Sequence, residues 1–322
     1  MSSLKQSISI LFGGKPVKPN LNQISDESAK IYKEHGGKRE KEFLAKIKEQ
    51  KETTSKNNNW RKKRWTVLIF VNILFIISYV LDIQILEGAL TGSRFVGFHF
   101  ADLNSALQVM LAFKQVLINL LIGTVTVALV WWLFGGRTFC SWICPYHLLA
   151  EWAEMLHLKL KKKGLAKDIK FDRKTRTWLW IVFAIVAYAT SYTVFETISP
   201  TGIISRALIY GPGLALIWVA FLLLFEIFFS KRAWCRYACP IGLTYGIVGA
   251  TSPLKVEYSL ENCYHDGVCR DVCMVPHVLE VTKKNRAINP IEYIGSDCTR
   301  CGRCVEVCPT HSLNFKFKGS NK

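Results

Sequence analysis

The chain has 322 residues, 50% of them apolar, with a mean hydropathy of +0.18 and a formal net charge of +18. This length suggests about two domains. A strong excess of basic residues is typical of proteins that bind nucleic acid or anionic lipid, and of membrane proteins in which it sets the topology. Because the basic residues form blocks beside long apolar runs, topology is favoured and nucleic acid is not a predicted partner. The eleven cysteines are an odd number, which argues against a secreted disulfide framework.

Residues 1–65 are polar and rich in Lys and Glu, and we interpret them as a basic cytoplasmic extension exposed to solvent. Within them, Ser25–Gln50 has the spacing of an amphipathic helix. Its apolar stripe would consist of Ile31, Tyr32, Phe43, Leu44 and Ile47. The alternative interpretation is a helix that binds a partner or the membrane surface.

Four apolar runs follow, at about Thr66–Leu86, Gln115–Phe134, Thr177–Glu196 and Gly213–Ser230. Each approaches the ~20 residues that a helix needs to cross a bilayer core, and none contains Lys or Arg. Tryptophans near their ends are typical of an interfacial aromatic belt. The first run starts too far into the chain for a cleaved signal peptide, so we expect it to remain as an anchor. Residues 66–254 are therefore predicted to form four transmembrane helices in two repeated hairpins.

The basic residues orient these helices. Gly135–Arg176 holds ten Lys and Arg residues, and Lys231 and Arg232 open the segment after the fourth run. By contrast, Glu87–Lys114 holds two basic residues and Thr197–Pro212 holds one. The positive-inside rule therefore places both termini and the middle connection in the cytoplasm of a multi-pass inner-membrane protein.

A ten-residue pattern occurs twice, as GRTFCSWICP at residues 136–145 and as KRAWCRYACP at residues 231–240. Each copy follows an apolar run and ends in a CxxxCP motif, which indicates an internal repeat. The cysteine pairs are Cys140 with Cys144 and Cys235 with Cys239. Cysteines four residues apart share one face of a helix. The two pairs either converge on one metal or cluster, relay electrons as dithiols, or serve packing alone.

The strongest motif is Cys298-x2-Cys301-x2-Cys304-x3-Cys308-Pro309. It is the bacterial ferredoxin run, whose fourth Cys serves the other of two clusters. Zinc is the weaker alternative because it prefers two separated CxxC pairs. Gly302 suits the tight turn that must follow the second Cys. Residues 255–322 are therefore predicted to be a small α+β module of the bacterial 2[4Fe-4S] ferredoxin type, on the cytoplasmic side.

An irregular copy of this run reads Cys263-x2-Asp266-x2-Cys269-x3-Cys273, with Asp266 where the second Cys is expected. Crossed ligation gives a first cluster on Cys273, Cys298, Cys301 and Cys304. It gives a second cluster on Cys263, Cys269 and Cys308. Three outcomes are open for the second cluster: Asp266 binds the fourth iron, that iron is absent and the cluster is [3Fe-4S], or the neighbouring His265 takes its place. A carboxylate is a harder ligand than a thiolate, so this corner should be labile.

These motifs resemble the NapH/MauN family of membrane-bound ferredoxins, which includes NosH-like members, over about residues 60–315. The resemblance implies oxidation of menaquinol or ubiquinol and electron delivery toward a periplasmic nitrate or nitrous oxide reductase system. It implies a periplasmic ferredoxin-type (NapG-like) or c-type cytochrome subunit as partner. It also implies a cluster role for the tail cysteines and a redox role for the four CxxxCP cysteines. Asp266 departs from the family's four-Cys run.

A quinol site requires an apolar slot, hydrogen-bond acceptors and a nearby electron acceptor. His147 lies three residues after Cys144 and is the predicted base for a site at the inner face; a merely solvated histidine is the alternative. Further ionisable candidates near the outer face are Asp82, Glu87, His99, Asp102 and Glu196, and near the inner face Glu151 and Glu226.

Two other functions fit the same motifs. The protein could be a redox maturation factor for a metalloenzyme, for example one that reduces copper. It could also be a membrane scaffold whose clusters sense redox state, although residues 1–65 contain no recognisable output module. Neither a Gly-rich dinucleotide fingerprint nor a P-loop is evident, so NADH and ATP are not predicted substrates.

Overall fold

The computed structural model describes residues 4–35, 59–81, 86–95 and 98–317. Its helices are α1 (Leu4–Leu11), α2 (Asp26–His35), α3 (Trp60–Val80), α4 (Leu103–Phe113), α5 (Ile118–Phe134), α6 (Thr138–Trp142), α7 (Pro145–Lys162), α8 (Lys174–Thr190), α9 (Val194–Ile198), α10 (Pro200–Tyr210), α11 (Leu216–Phe228), α12 (Ile241–Val248), α13 (Val268–Asp271) and α14 (Arg303–Val307). Its strands are β1 (Leu86–Ala89), β2 (Gly92–Phe95), β3 (Phe98–Ala101), β4 (Leu254–Ser259), β5 (Ile291–Tyr293) and β6 (Leu313–Phe317). A π-helical turn covers Trp234–Ala238, and a 3-10 helix covers Pro276–Thr282.

Each predicted apolar run contains a helix, but the helices are shifted or shorter than predicted. α3 begins at Trp60 rather than Thr66 and has 21 residues, whereas α5 and α8 have 17 each and α11 has 13. Among the described helices, only α3 is both long and apolar enough to cross a membrane; α4, α5 and α11 are shorter apolar helices. Four membrane-spanning helices are therefore not confirmed. Asp82 lies outside the described residues.

The two connections predicted to lie outside the membrane fold back into the helical core. The first contains the antiparallel meander β1–β2–β3 and then α4. The second contains α9 and α10. Both α4 and α10 have 11 residues. Asp102 caps α4 by accepting hydrogen bonds from the backbone amides of Asn104 and Ser105, and Pro200 stands at the start of α10, where a helix needs no amide donor.

These two short helices extend the internal repeat. α4 of the first hairpin packs against α8 and α12 of the second, while α10 of the second hairpin packs against α3 and α7 of the first. Each hairpin thus contributes one short helix that packs against the other hairpin. The core between them is built from Phe139, Tyr146, Ala150, Phe195, Ile203, Ile204, Val219, Trp234, Ile241 and Tyr245. The CxxxCP segments lie in this core.

The C-terminal module is built on a second antiparallel sheet, in the order β5–β4–β6. β4 alternates outward and inward side chains, so Val256 and Tyr258 are buried. They pack with Leu260, Leu279 and Leu313 in one core. The pairing of β4 with both later strands brings the two cysteine runs together.

Helices α1 and α2, in the described residues 4–35 of the N-terminal extension, pack against this module instead of extending into solvent. Tyr32 on α2 is 7% exposed, lies in the module's core and stacks on the ring of His265. Its hydroxyl accepts a hydrogen bond from the Ala287 amide at 3.0 Å. On α1, the hydroxyl of Ser7 accepts from the Ser296 amide at 2.9 Å. The predicted stripe residues Phe43, Leu44 and Ile47 lie outside the described residues.

Cationic and hydroxyl side chains at the start of α8 hold the end of α1. The side chain of Arg173 donates to the Ile10 carbonyl, Arg176 to the Leu11 carbonyl and Thr177 to the Phe12 carbonyl. Donors from a different part of the chain therefore satisfy the last carbonyls of α1, which a helix leaves unpaired. These bonds connect the extension to the helical part as well as to the module.

Replacing Tyr32 with Ala should destabilise the C-terminal module by about 3–5 kcal/mol, because a buried aromatic ring is lost. Tyr32→Phe should cost about 1 kcal/mol, because only the hydroxyl's bonds are lost. Lys33→Ala, at the exposed neighbouring position, should change little. Thermal unfolding of the purified protein under anaerobic conditions measures all three. Equal melting temperatures for Tyr32→Ala and Lys33→Ala would contradict the docking of α2.

Candidate iron–sulfur site

The first thiol-lined cavity lies beneath β4 in the C-terminal module. Cys273, Cys298, Cys301 and Cys304 line it together with apolar side chains such as Val278. The backbone amide of Arg300 donates to the Cys298 sulfur at 3.4 Å. Burial raises the pKa values of the Cys273, Cys298 and Cys304 thiols.

A second cavity receives the remaining ligand candidates of the module. Cys263, Cys269 and Cys308 line it, and so does Asp266. The backbone amide of His265 donates to the Cys263 sulfur at 3.4 Å. Each cavity thus combines three positions of one cysteine run with the fourth Cys of the other, which is the crossed arrangement of a two-cluster ferredoxin.

Two glycines produce matching turns beside these cavities. Gly267 has φ of +83° and Gly302 has φ of +76°, and each caps a short helix, α13 or α14. A side chain at such an angle would be strained, so glycine is the residue that fits. The short helices then carry Cys269 and Cys304 into their respective cavities.

The fourth position of the second cavity favours Asp266 over His265. Asp266 is exposed, lines the cavity, and accepts one hydrogen bond from the Val268 amide at 3.3 Å. The ring of His265 stacks on Tyr32, and its Nδ1 lies 2.8 Å from the Thr282 carbonyl. The His265 Nδ1 also lies 3.8 Å from the Cys263 sulfur, but His265 does not line the cavity, and turning its ring would break the contacts with Tyr32 and Thr282. The Asp266 carboxylate, by contrast, already lines the cavity.

The residues of both cavities fit iron–sulfur clusters. Four thiols surround the first cavity, and three thiols with a carboxylate surround the second, as a cluster of several irons requires. Backbone amides aimed at cysteine sulfurs are the outer contacts that stabilise such ligands. None of the cysteines forms a disulfide. In the described part of the chain, no three His, Cys, Asp or Glu side chains could hold a single metal ion.

The four CxxxCP thiols lie close enough to influence one another. Burial raises the pKa of Cys144 to about 12, and Cys140 adds to the rise. Burial also raises the pKa of Cys239 to about 12, with contributions from Cys140 and Cys144. The pKa of Cys235 is raised by burial, by Glu226 and then by Cys239 and Cys144. The two pairs therefore meet in the core between the hairpins.

The expectation that each pair shares one helix face is wrong. α6 ends at Trp142, and Cys144 has the extended angles φ −62° and ψ 117°. Cys239 is likewise extended, at φ −69° and ψ 112°. The cause is the proline that follows each of these cysteines, because proline disfavours helical angles in the residue before it. The break turns both second cysteines toward the shared core.

The two short helices of the repeat begin near these thiols. At the start of α10, the hydroxyl of Thr201 lies 3.1 Å from the Cys144 sulfur and lowers the pKa of that thiol. Burial raises the pKa of the Cys140 thiol, and the charge of Asp102 at the start of α4 raises it further. A helix N-terminus favours an anion, but the Asp102 carboxylate opposes one, so the starts of the two helices act on the thiols in opposite directions.

The loop of the first cavity is attached directly to the first CxxxCP segment. Backbone carbonyls of this loop accept hydrogen bonds from side chains of the helical part. The pairs are Arg137 with Asp297 (2.7 Å), Ser141 with Thr299 (2.7 Å), Trp142 with Arg300 (3.1 Å) and Arg64 with Cys301 (3.2 Å). Three of these donors lie between Arg137 and Trp142. Four hydrogen bonds therefore attach the ligand loop to the helical part, three of them to the first CxxxCP segment.

Arg137 and Arg232 occupy the same position in the two copies of the repeat, and each is 1% exposed. Arg137 forms an ion pair with Asp297, the residue before Cys298, and its charge lowers the pKa of the Cys140 thiol, which burial raises. Arg232 pairs with Glu154 at 2.7 Å and lies 3.3 Å from the sulfur of Met274, the residue after Cys273. Each arginine therefore contacts a neighbour of a cysteine that lines the first cavity.

The carboxylates that pair with these arginines are fixed in the charged form. Burial alone would raise the pKa of Glu154, but Arg232 and Arg303 outweigh it and lower that pKa to about 2. For Asp297, Arg137 and Arg176 likewise outweigh burial and hold the pKa well below its usual range. Both groups are thus ionised at any physiological pH.

His147, the base predicted from sequence, belongs to the same buried set of charges. It is 2% exposed, its ring nitrogens lie 3.3 and 3.4 Å from Arg232, and Glu151 is 3.8 Å away. Burial and then Arg232 lower its pKa well below the usual value. The ring is therefore neutral and lines neither thiol cavity.

The sequence patterns do not predict six residues that form ion pairs beside these sites. They are Arg64, Arg137, Arg232, Arg303, Asp297 and His277. One signal was available, since each copy of the repeat contains an arginine three residues before its first cysteine. A basic residue beside a membrane run is usually read as topology. Their partners lie more than 70 positions away along the chain in most cases, which no local pattern reveals.

Two family models match the chain, and both are described as a 4Fe-4S binding domain. One matches residues 116–163 and 211–256, which contain the two copies of the CxxxCP repeat. The other matches residues 291–314, which contain the complete cysteine run. No solved structure matches the chain.

Curated relatives resemble most of the chain. The methylamine utilization ferredoxin-type protein MauN of Paracoccus denitrificans is 34% identical over 66% of this chain and 75% of its own length. MauN of Methylorubrum extorquens is 29% identical over 81% of this chain and 89% of its own length. The ferredoxin-type protein NapH of Escherichia coli is 29% identical over 80% of this chain and 91% of its own length. With this identity and coverage, the chain belongs to the NapH/MauN family of ferredoxin-type proteins.

Proposed function

We propose that the protein is an electron-transfer subunit of the inner membrane that oxidises quinol and passes the electrons toward a periplasmic reductase system. The observation that carries this proposal is the contact made by Arg137. Its guanidinium donates to the ligand loop of the first cavity, and its charge lowers the pKa of the Cys140 thiol, which burial raises. Two groups of thiols from different parts of the chain thus lie near one buried side chain, and electron transfer between two centres requires such proximity.

Four membrane spans, formed by α3, α5, α8 and α11 with both termini cytoplasmic, are part of this proposal. Large apolar side chains on these helices face outward, for example Phe70, Ile122, Ile185 and Phe221. Contiguous exposed apolar surface marks a membrane or protein contact. A helix of 17 residues extends about 26 Å, near the ~30 Å of a bilayer core. The quinone pool would then be accessible from the surrounding lipid.

In this proposal each cavity of the C-terminal module holds an iron–sulfur cluster. Cys273, Cys298, Cys301 and Cys304 bind a [4Fe-4S] cluster. Cys263, Cys269 and Cys308 bind the second, with Asp266 at its fourth iron or with that iron absent as [3Fe-4S]. Such clusters, when bound, exchange single electrons. The protein's own contribution is to fix the ligand loops and to exclude water from the buried thiols.

The four CxxxCP thiols are proposed to hold a further metal centre rather than to act as dithiols. They lie in one core, the Thr201 hydroxyl at the start of α10 contacts Cys144, and the charge of Arg137 acts on Cys140. Both interactions lower the pKa of a thiol that burial raises, so they stabilise the negative charge that four bound thiolates carry and a disulfide does not. This centre would lie between the clusters and a periplasmic partner of the ferredoxin or c-type cytochrome kind.

Anaerobic iron and sulfide analysis with EPR tests the function. We expect about twelve irons per chain, as three four-iron centres require, and reduced-cluster signals after addition of a quinol analogue. About eight irons would contradict the CxxxCP centre. Clusters that dithionite reduces but quinol does not, even with membranes restored, would contradict quinol oxidation and favour a redox maturation factor, for example one that reduces copper.

Substitution of Cys140 or Cys239 by Ser separates the centres from one another. We expect the iron content to fall by about four, the EPR signals of the module's clusters to persist, and electron delivery to a partner to be lost. Cys301→Ser is the matched variant and should remove the first cluster instead. If Cys140→Ser retained full iron and normal turnover, the CxxxCP thiols would have no redox role.

Asp266→Cys should make the second cluster more resistant to oxidation. A fourth thiolate replaces a hard carboxylate, so the labile iron is held more tightly. Limited ferricyanide oxidation followed by EPR measures this: wild type should develop a [3Fe-4S] signal and the variant should not. Asp271→Cys, which adds an exposed thiol on α13, is the control. A signal of equal size in wild type and Asp266→Cys would show that Asp266 does not set the lability.

A further inference from the structure

A cavity lies between the C-terminal module and the described start of the N-terminal extension. It has a volume of about 250 Å³. Ile10, Pro16 and Val17 of the extension form one wall, and Val278 and Val281 of the 3-10 helix form the opposite wall. Most of the lining is apolar, and the cavity is open on one side. This volume suits one ring system and is below the ~300–1,000 Å³ typical of sites for larger ligands.

One polar pair in this cavity is held by a short contact, and other polar side chains, among them Glu280, Arg286 and Glu292, also line it. His277 is 16% exposed, and its Nε2 lies 2.6 Å from Oδ2 of Asp297. Because the carboxylate can only accept, Nε2 carries the proton and Nδ1 is left as an acceptor. In the described part of the chain no hydrogen-bond partner of Nδ1 is found. Burial lowers the pKa of His277 although Asp297 opposes this, which leaves a neutral ring able to take a proton.

The cavity borders the first thiol-lined cavity. Val278 lines both, so one valine side chain separates them. Asp297 also precedes Cys298 in the chain, and its other oxygen accepts from Arg137 and Arg176. The same carboxylate therefore orients His277 and is fixed to the helical part. A redox-active ring in the cavity would lie next to the nearest cluster ligands.

Apolar side chains are exposed on the extension beside the cavity. Val17 in the wall is 71% exposed, and Leu4 and Ile8 on α1 are exposed as well. The end of α1 is held by Arg173, Arg176 and Thr177, at the start of α8. The extension therefore lies where α8 would enter the membrane, so a lipid-soluble molecule can reach the cavity from there.

We propose that this cavity binds the ring of a hydroquinone, with His277 as the group that accepts a hydroxyl proton. The inference rests on the proposed function and locates its substrate site at His277 rather than His147. Oxidation of the hydroquinone would release two electrons, for which clusters held by the cysteines of the module would be the acceptors. It would also release two protons, one to Nδ1 of His277 and one to water at the open side, and the product would leave as the quinone.

Binding is tested with the full-length detergent-solubilised protein and a hydroxyquinoline N-oxide, a fluorescent ring-sized analogue of quinol. Val281→Trp fills the cavity and should weaken binding at least ~10-fold, or about 1.4 kcal/mol. Ile291→Trp, at an exposed position on β5 outside the cavity, is the matched control and should bind as wild type does. Iron content and the dithionite-reduced EPR spectrum establish that each variant is folded and loaded.

The second measurement is the rate at which a naphthoquinol analogue reduces the clusters, followed by rapid-freeze EPR. His277→Gln keeps a donor to Asp297 but removes the base, so reduction should slow by about 10²-fold or more. Binding of the N-oxide should change far less. His311→Gln, an exposed histidine of the same module, should reduce at the wild-type rate.

The outcomes separate this site from the function. If quinol reduces the clusters of wild type, Val281→Trp and His277→Gln equally fast, the site is elsewhere and the proposed function stands. If the N-oxide binds to wild type and Val281→Trp weakens that binding, but quinol never reduces the clusters of wild type, the ring-binding site is supported and quinol oxidation is contradicted. Failure of wild type to bind the N-oxide overturns the cavity inference.

Discussion

The buried guanidinium of Arg137 is the contact on which the arrangement of the two parts depends. A cation removed from water is tolerated only with charged and hydrogen-bonding partners. Arg137 finds them in the carboxylate and the backbone carbonyl of Asp297. Separating the module from the helices would leave this charge without its carboxylate, at a cost of about 3–5 kcal/mol for one broken buried pair. The module is therefore held in one orientation, with its first cavity against the CxxxCP core.

The two copies of the repeat are equivalent in sequence, but the C-terminal module contacts them in different ways. Arg137 and Arg232 are equivalent in sequence, yet one pairs with a residue of the module and the other with Glu154 on α7. Both still reach the first cavity, beside Cys298 and Cys273. Two-fold related hairpins can thus build a central group of thiols from both copies while presenting a single docking face. A single docking face explains why a duplicated helical part carries only one ferredoxin module.

Sequence patterns predicted what is decided locally and missed what is decided by distant partners. The spacing of the Cys298 run and Gly302 anticipated the turn and the first cavity, because both depend on a few adjacent residues. The sequence predicts α4 and α10 only as outer connections, because their burial depends on contacts with the opposite hairpin. It predicts a solvated extension, because Tyr32 meets its partner Ala287 only in the folded chain. It also predicts one helix face for each CxxxCP pair, whereas Pro145 interrupts the helix in the first pair.

The charge balance of the interface points to what the first cavity holds. Five arginines are engaged there: Arg64, Arg137, Arg176, Arg232 and Arg303. They share three carboxylates, Glu151, Glu154 and Asp297. Surplus buried positive charge is unfavourable unless an anion compensates it. Four thiolates around bound iron supply that anion at the point where Arg137 and Arg232 converge. The same surplus would stabilise an added electron, so the arginines that attach the module also favour reduction of its nearest centre.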